Sequence, residues 1–167
     1  MKKLLKQYYG YSDFRPGQKE IIDSVLSGKD TLAIMPTGGG KSLCYQIPSL
    51  MFPGLTVVVS PLIALMEDQV QSLDAVGIPS LFLNSTLDWE EYVYNMNLIR
   101  QGDIKLLYLA PVTLVTERIQ SLLSEVEVSC LTIDEPTVSP NGVTTFAQNT
   151  DELQKLKSCF QKLFALL

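Results

Sequence analysis

Histidine is absent from this 167-residue chain. That removes Ser-His-Asp and Cys-His catalysis and the commonest zinc ligand. Cysteine is scarce. Cys44, Cys130 and Cys159 are far apart, odd in number and without metal-ligand spacing, so they read as buried or free thiols, and no zinc is expected. No apolar run reaches membrane-spanning length. Lys2-Lys3 precedes only Leu4-Leu5, too short a stretch for an export signal, so a cytoplasmic location and no membrane partner are expected. Basic charge is not in excess either: 13 Lys+Arg against 18 Asp+Glu give a net −5, which argues against a highly basic nucleic-acid binder. A local contact surface stays open, because binding depends on where the charges lie. What remains is a globular composition, 46% hydrophobic and 19% charged, long enough for one domain with a real core.

Within that composition the run Met35-Pro36-Thr37-Gly38-Gly39-Gly40-Lys41-Ser42 carries the most information. Three consecutive glycines let backbone N–H groups wrap a polyphosphate without interference from Cβ atoms. Lys41 supplies a charge for the β- and γ-phosphates, and the Ser42 hydroxyl can ligate Mg²⁺. The run lies between a strand, Asp30 to Met35, and the first turns of a helix, Ser42 to Ile47, whose positive end would face the phosphates. The generic pattern asks for glycine where Met35 stands. The plainer reading is a glycine-rich turn capping a helix.

Strand-like and helix-like segments alternate along the chain. Pro16 to Leu26 reads as a helix followed by Gly28, and Leu55 to Val59 as a buried strand. Leu62 to Val76 is a helix, Ser80 to Leu83 a short strand, and Asp88 to Arg100 a helix with an N-cap carboxylate. Lys105 to Leu109, Thr113 to Leu123 and Val126 to Ile133 follow as strand, helix and strand. This alternation with uniformly apolar strands predicts an α/β fold with a mainly parallel sheet covered on both faces, and ligands at the carboxyl ends of its strands.

The fifth strand ends in Asp134-Glu135. Hydrolysis of a nucleoside triphosphate needs a carboxylate near Mg²⁺ and a second group to orient or deprotonate the attacking water, roles that suit Asp134 and Glu135 in turn. Acids at strand ends are also often simply solvated. Beyond them the composition changes: 136–150 is rich in Pro, Asn, Thr, Ser and Gly and reads as a loop or disordered segment. Asp151 to Leu167 reads as an amphipathic helix with Leu153, Leu156, Phe160, Leu163, Phe164 and Leu167 on or near one face.

In this order the motifs resemble the first RecA-like lobe of RecQ-family DNA helicases, from about Tyr9 to Glu135. Phe14-Arg15-Pro16-Gly17-Gln18 looks like the family's adenine-recognition element, in which Gln18 would read the adenine edge and Arg15 would lie near the base. Met35 to Tyr45 is similar to the family's own form of the phosphate loop, Met35 included. Val57 to Val70, with Ser60, Pro61, Leu62 and Gln69, resembles the motif that touches the single-strand backbone, and Leu83-Asn84-Ser85-Thr86 also has a family look. Ser60 could instead cap a helix with Pro61 at its first position.

The resemblance implies a three-layer RecA-like P-loop domain, incomplete at its C-terminal side. Residues 1–135 would form a partial helicase ATP-binding domain, and 136–167 a divergent tail of loop plus helix. It implies ATP and Mg²⁺ as cofactors, single-stranded or forked DNA as partner, and 3′-to-5′ unwinding by the intact machine. Thr37, Gly38, Gly39, Gly40, Lys41 and Ser42 would hold the nucleotide, and Ser42 and Asp134 the metal. Three departures stand out. Asp134-Glu135-Pro136-Thr137 replaces Asp-Glu-Ala-His, Pro111-Val112-Thr113 replaces Pro-Glu-Arg, and no aromatic follows until Phe146 where an aromatic-rich loop belongs. The stretch after Glu135 differs from the family as a frameshifted or rearranged end would. One lobe without the second lobe's arginine finger is expected to bind and not to unwind. The alternatives are a non-catalytic binding or regulatory fragment and a non-functional remnant.

Overall fold

The computed structural model describes residues 1–36, 38–84, 87–135 and 141–147. The chain opens with α1 (Lys2–Tyr9) and α2 (Gln18–Leu26), followed by β1 (Thr31–Pro36) and α3 (Leu43–Ser49). Next come β2 (Leu55–Val59), α4 (Ile63–Ala75), β3 (Ser80–Leu83) and α5 (Trp89–Gln101). β4 (Leu106–Leu109), α6 (Pro111–Leu114), α7 (Glu117–Glu125), β5 (Val128–Glu135) and β6 (Asn141–Ala147) complete the described elements.

One sheet runs in the order β1-β6-β5-β2-β4-β3. β5, β2, β4 and β3 pair in parallel, and β6 runs antiparallel to both β1 and β5. Five strands therefore share one direction, and their carboxyl ends share one edge.

Alternation along the strands divides the core in two. Val58, Leu106, Tyr108 and Cys130 face one way, toward Leu5 of α1, Ile22 and Val25 of α2, Tyr45 and Ile47 of α3, and Met66 and Leu73 of α4. Val57, Val59, Leu107, Leu109 and Leu131 face the other way, toward Met96 and Ile99 of α5, Leu114 of α6, and Ile119 and Leu122 of α7. The result is the three-layer α/β arrangement that the uniformly apolar strands predict. Among the described residues β1 lies at the sheet's edge, and its Leu32 and Ile34 are each 64% exposed.

Several boundaries differ from expectation. α1 was not foreseen, although Leu4, Leu5, Tyr8 and Tyr9 have helical spacing and Gly10 (φ 75°) closes it by donating to the Lys6 carbonyl. The helix expected over Thr113 to Leu123 is two helices. Thr116 takes an extended conformation (φ −71°, ψ 143°) and its hydroxyl donates to the Thr113 carbonyl at 2.8 Å, a local bond that competes with a continuous helix. The largest difference is β6: Asn141–Ala147 forms a strand inside the 136–150 stretch that reads as a loop. Its backbone is paired on both sides, Ile34 with Val143 and Ile133 with Thr145, so ladder bonds outweigh the turn-like composition of the flanking sequence. The helix expected over Asp151 to Leu167 lies outside the described residues.

Among the described residues no helix is long and apolar enough to cross a membrane. They also contain no group of three or more His, Cys, Asp or Glu that could cage a metal.

Candidate nucleotide site

The glycine loop sits at the carboxyl end of β1 and leads into α3. Gly38 (φ 77°) and Gly40 (φ 81°) adopt left-handed backbone that side chains disfavour. Gly39 N–H donates to the Pro36 carbonyl at 2.9 Å, which tightens the turn. A Cβ on Gly39 would stand 2.9 Å from that carbonyl oxygen, and one on Gly40 would collide with Gln18 Nε2. The glycines are thus required by the loop's own shape.

Gln18, the first residue of α2, and Arg15, which precedes that helix, hold the loop. Gln18, 1% exposed, donates from Nε2 to the Gly40 carbonyl at 3.0 Å and the Gly39 carbonyl at 3.4 Å. Its Oε1 accepts from the Arg15 backbone N–H at 2.8 Å. The Arg15 guanidinium donates to the Gly38 carbonyl at 2.6 Å. With its carbonyls tied back to Gln18 and Arg15, the loop borders a cleft of about 410 Å³ lined also by Tyr9, Tyr11, Lys41 and Ser42. The family resemblance implies Gln18 and Arg15 beside a base; in the structure both lie against the loop, at the rim of the same cleft. Thr37 lies outside the described residues.

The carboxylate pair ends β5, with β6 between it and β1. Asp134 is brought toward the loop helix by Tyr45 of α3, whose hydroxyl donates to Asp134 Oδ2 at 3.3 Å. Burial, then the neighbouring Tyr108 and Asp134, push the Tyr45 phenol well above its ordinary value, so it remains a proton donor here. Glu135 is the last residue of β5, in register with Val143 of β6. Ser42 Oγ and the Asp134 carboxylate are hard oxygen donors of the kind Mg²⁺ takes, together with phosphate oxygens and water. One carboxylate and one hydroxyl beside a phosphate loop fit that ion better than an all-protein cage would.

Of the residues expected to meet nucleic acid, Ser60, Pro61, Leu62 and Asn84 lie at the carboxyl edge of the sheet. Ser60 follows β2 and Asn84 follows β3, and both are buried, at 2% and 4% exposed. Ser60 is not the cap of α4: its N–H donates to the Leu109 carbonyl and prolongs the β2–β4 ladder. Leu62 is the N-cap residue, and the Ser60 hydroxyl accepts the Leu62 N–H at 3.5 Å. Pro61 and Leu62 are exposed beside them. Gln69 lies two turns into α4 and bonds to Gln46 rather than standing free on the surface. Ser85 and Thr86 lie outside the described residues.

Sequence reasoning passed over Tyr9, Tyr11, Gln46 and Tyr108 as individual residues. Tyr9 and Tyr11 flank Gly10 immediately before the Phe14 to Gln18 run, and that aromatic spacing was the available signal. Gln46, an amide inside the apolar run of α3, was the other: a polar side chain there must have buried partners.

Comparison with known proteins supplies the family. The model of the DEAD/DEAH box helicases matches residues 15–161. The chain belongs to that family. It is 46% identical over 157 residues to the ATP-dependent DNA helicase RecQ of Pasteurella multocida, an alignment covering 94% of this chain and 25% of that protein. It is 46% identical over 133 residues to the RecQ helicase of Bacillus subtilis, covering 79% of this chain and 22% of that protein. Similarity extends to "ATP-dependent DNA helicase Q-like 5" of Arabidopsis thaliana, 41% identical over 134 residues and covering 80% of this chain. This helicase lobe spans about a quarter of the length of the bacterial RecQ relatives it matches. The match corresponds to their N-terminal RecA-like lobe, and the family model continues past Glu135 through β6 to residue 161.

Proposed function

We propose that this chain is the ATP-binding lobe of a RecQ-like, ATP-dependent 3′-to-5′ DNA helicase, contributing ATP and single-stranded DNA binding. The observation that carries this reading is the clamp of Gln18 and Arg15 on the glycine loop at the rim of the 410 Å³ cleft. It ties a base-recognition element to a phosphate-recognition element.

In this reading Tyr9, Tyr11 and Gln18 form the base end of the cleft. The glycine-loop amides and Lys41 take the phosphates, joined by Thr37. Ser42 and Asp134 hold Mg²⁺. The ion, when bound, neutralises charge on the phosphate oxygens. Tyr45 keeps the Asp134 carboxylate turned toward the loop. Glu135 orients or deprotonates the attacking water. Pro61, Leu62 and the first amides of α4 meet the single-strand backbone, supported by Ser60, Gln69 and Asn84. Residues 1–135 carry the motifs of the ATP-binding unit, and 136–167, whose Asn141–Ala147 strand completes its sheet, form a divergent tail, in a cytoplasmic protein.

An arginine finger from a second lobe is worth on the order of 10³–10⁵ in rate in related phosphoryl-transfer enzymes. Residues 1–167 on their own are expected to bind Mg-ATP and single strands. The test is a titration of the purified chain with a fluorescent ATP analogue and Mg²⁺, followed by displacement with ATP or GTP. Saturable binding displaced by ATP in preference to GTP is expected, with the preference lost in Gln18→Ala. Binding that ignores the base, or none at all, would contradict the assignment.

A further inference from the structure

Gln46 is a buried polar side chain with no part in the proposed nucleotide chemistry. Gln46 is 5% exposed and sits on α3, four residues past Ser42. Its Oε1 accepts from the Tyr9 hydroxyl at 2.9 Å, and its Nε2 donates to Gln69 Oε1 at 3.1 Å. Tyr9 lines the cleft, and Gln69 belongs to α4, the helix whose N-terminus carries the exposed Pro61-Leu62 corner. Three segments distant in sequence are thus joined by one side chain through its two ends.

The surroundings give this link an alternative state. The Tyr108 hydroxyl is buried and lies close enough to Tyr45 and Gln46 for both to restrain the rise in its titration, yet neither contact closes with full hydrogen-bond geometry. Buried polar groups take a partner where one is offered. If a ligand draws Tyr9 away, the freed Gln46 amide has Tyr108 within reach by a side-chain rotation, and its hold on Gln69 changes with it. Two discrete hydrogen-bond arrangements are what energetic coupling between sites requires.

We propose that Gln46 is a positioning residue that links the base end of the nucleotide cleft to α4, so that nucleotide occupancy is felt at the nucleic-acid edge through Tyr9–Gln46–Gln69. This rests on the cleft binding a nucleotide, as proposed above. It needs no second lobe, because all three residues lie within this chain.

Hydrogen–deuterium exchange of the full chain with and without Mg-ATP tests it. In wild type, Mg-ATP is expected to slow exchange severalfold both at the glycine loop with α2 and in α4 around Gln69. In Gln46→Met, protection is expected to persist at the loop and to be lost in α4. Gln46→Glu still accepts from Tyr9, and Gln69 can turn its amide to donate, so α4 protection should return. Tyr9→Phe cuts the same link from the other side and serves if Gln46→Met melts without a cooperative transition. α4 protection that survives both Gln46→Met and Tyr9→Phe would overturn the inference. So would wild-type protection confined to the loop. No protection at the loop in wild type would overturn the nucleotide reading, and this inference with it.

Discussion

The two faces of the sheet use the same strands differently. Under α5, α6 and α7, residues Val57, Val59, Leu107, Leu109 and Leu131 meet Leu, Ile and Met side chains. Under α1 to α4, the neighbouring positions Val58, Leu106 and Tyr108 meet a core threaded with Gln18, Tyr45 and Gln46, each buried and each hydrogen-bonded. The first face holds the sheet to its helices by apolar packing. The second holds the glycine loop, the cleft and Asp134 in one frame. The buried polar groups around the candidate site thus belong to one layer, and the other layer is packed almost wholly by apolar side chains.

The largest break in this comparison should come from the apolar face. Leu122 is fully buried on α7, and Leu122→Ala should cost about 2–5 kcal/mol through lost transfer energy and a residual cavity. Urea denaturation would measure it, and the relative response to Mg-ATP should survive wherever the protein remains folded.

High pH should act on the polar face alone. Burial raises the Cys44 thiol from its ordinary 9.0 to about 12 and Cys130 to about 11. Burial likewise raises the Tyr108 phenol from 10.0 to about 12, and raises Tyr9 and Tyr45 too. All five lie in the layer of α1 to α4. These groups are neutral in the fold while the unfolded chain ionises, so the stability they contribute is full below pH 9. It is lost as pH climbs toward the folded values, by at most about 1.4 kcal/mol per pH unit per group. Melting midpoints between pH 8 and 11 would show it. A midpoint that stays level above pH 9 would contradict the burial of these groups.

A smaller effect is expected at Gly40. Gly40→Ala places a Cβ in left-handed backbone, which costs about 1–2 kcal/mol, and pushes it into Gln18. Stability falls modestly and nucleotide affinity falls with it, a pairing that Leu122→Ala should not produce. The smallest effect belongs to the α5 cap: Asp88 Oδ1 accepts the Glu91 N–H at 2.8 Å, and Asp88→Ala should cost about 1 kcal/mol without touching the cleft.

The apolar face was the more legible of the two in the sequence. Leu55–Val59 and Ser80–Leu83 form as strands over the expected residues, because continuous apolar runs bounded by turns leave little choice. Asp88 announces its helix by its own chemistry. The glycine loop and Asp134 stand out in the sequence because residue types at that spacing suit phosphate and Mg²⁺ chemistry. What escaped was cooperative. β6 is held by strands on both sides, and its Val143-Thr144-Thr145-Phe146 run was masked by flanking Pro and Asn. Gln46 has a role only because Tyr9 and Gln69, from distant segments, converge on it. Tyr108 reads as one more apolar position of a buried strand until Tyr45 and Gln46 are placed beside it.

A thermal melt of the purified chain with and without Mg-ATP, alongside Lys41→Ala, tests the central claim most directly. A ligand that binds only the folded state stabilises it by about 2.7 kcal/mol at a hundredfold excess over its Kd. The account predicts a cooperative melt that shifts upward with Mg-ATP in wild type and stays in place in Lys41→Ala. A cooperative melt that ignores Mg-ATP, or one that shifts equally in Lys41→Ala, would contradict the assignment of this cleft as a nucleotide site.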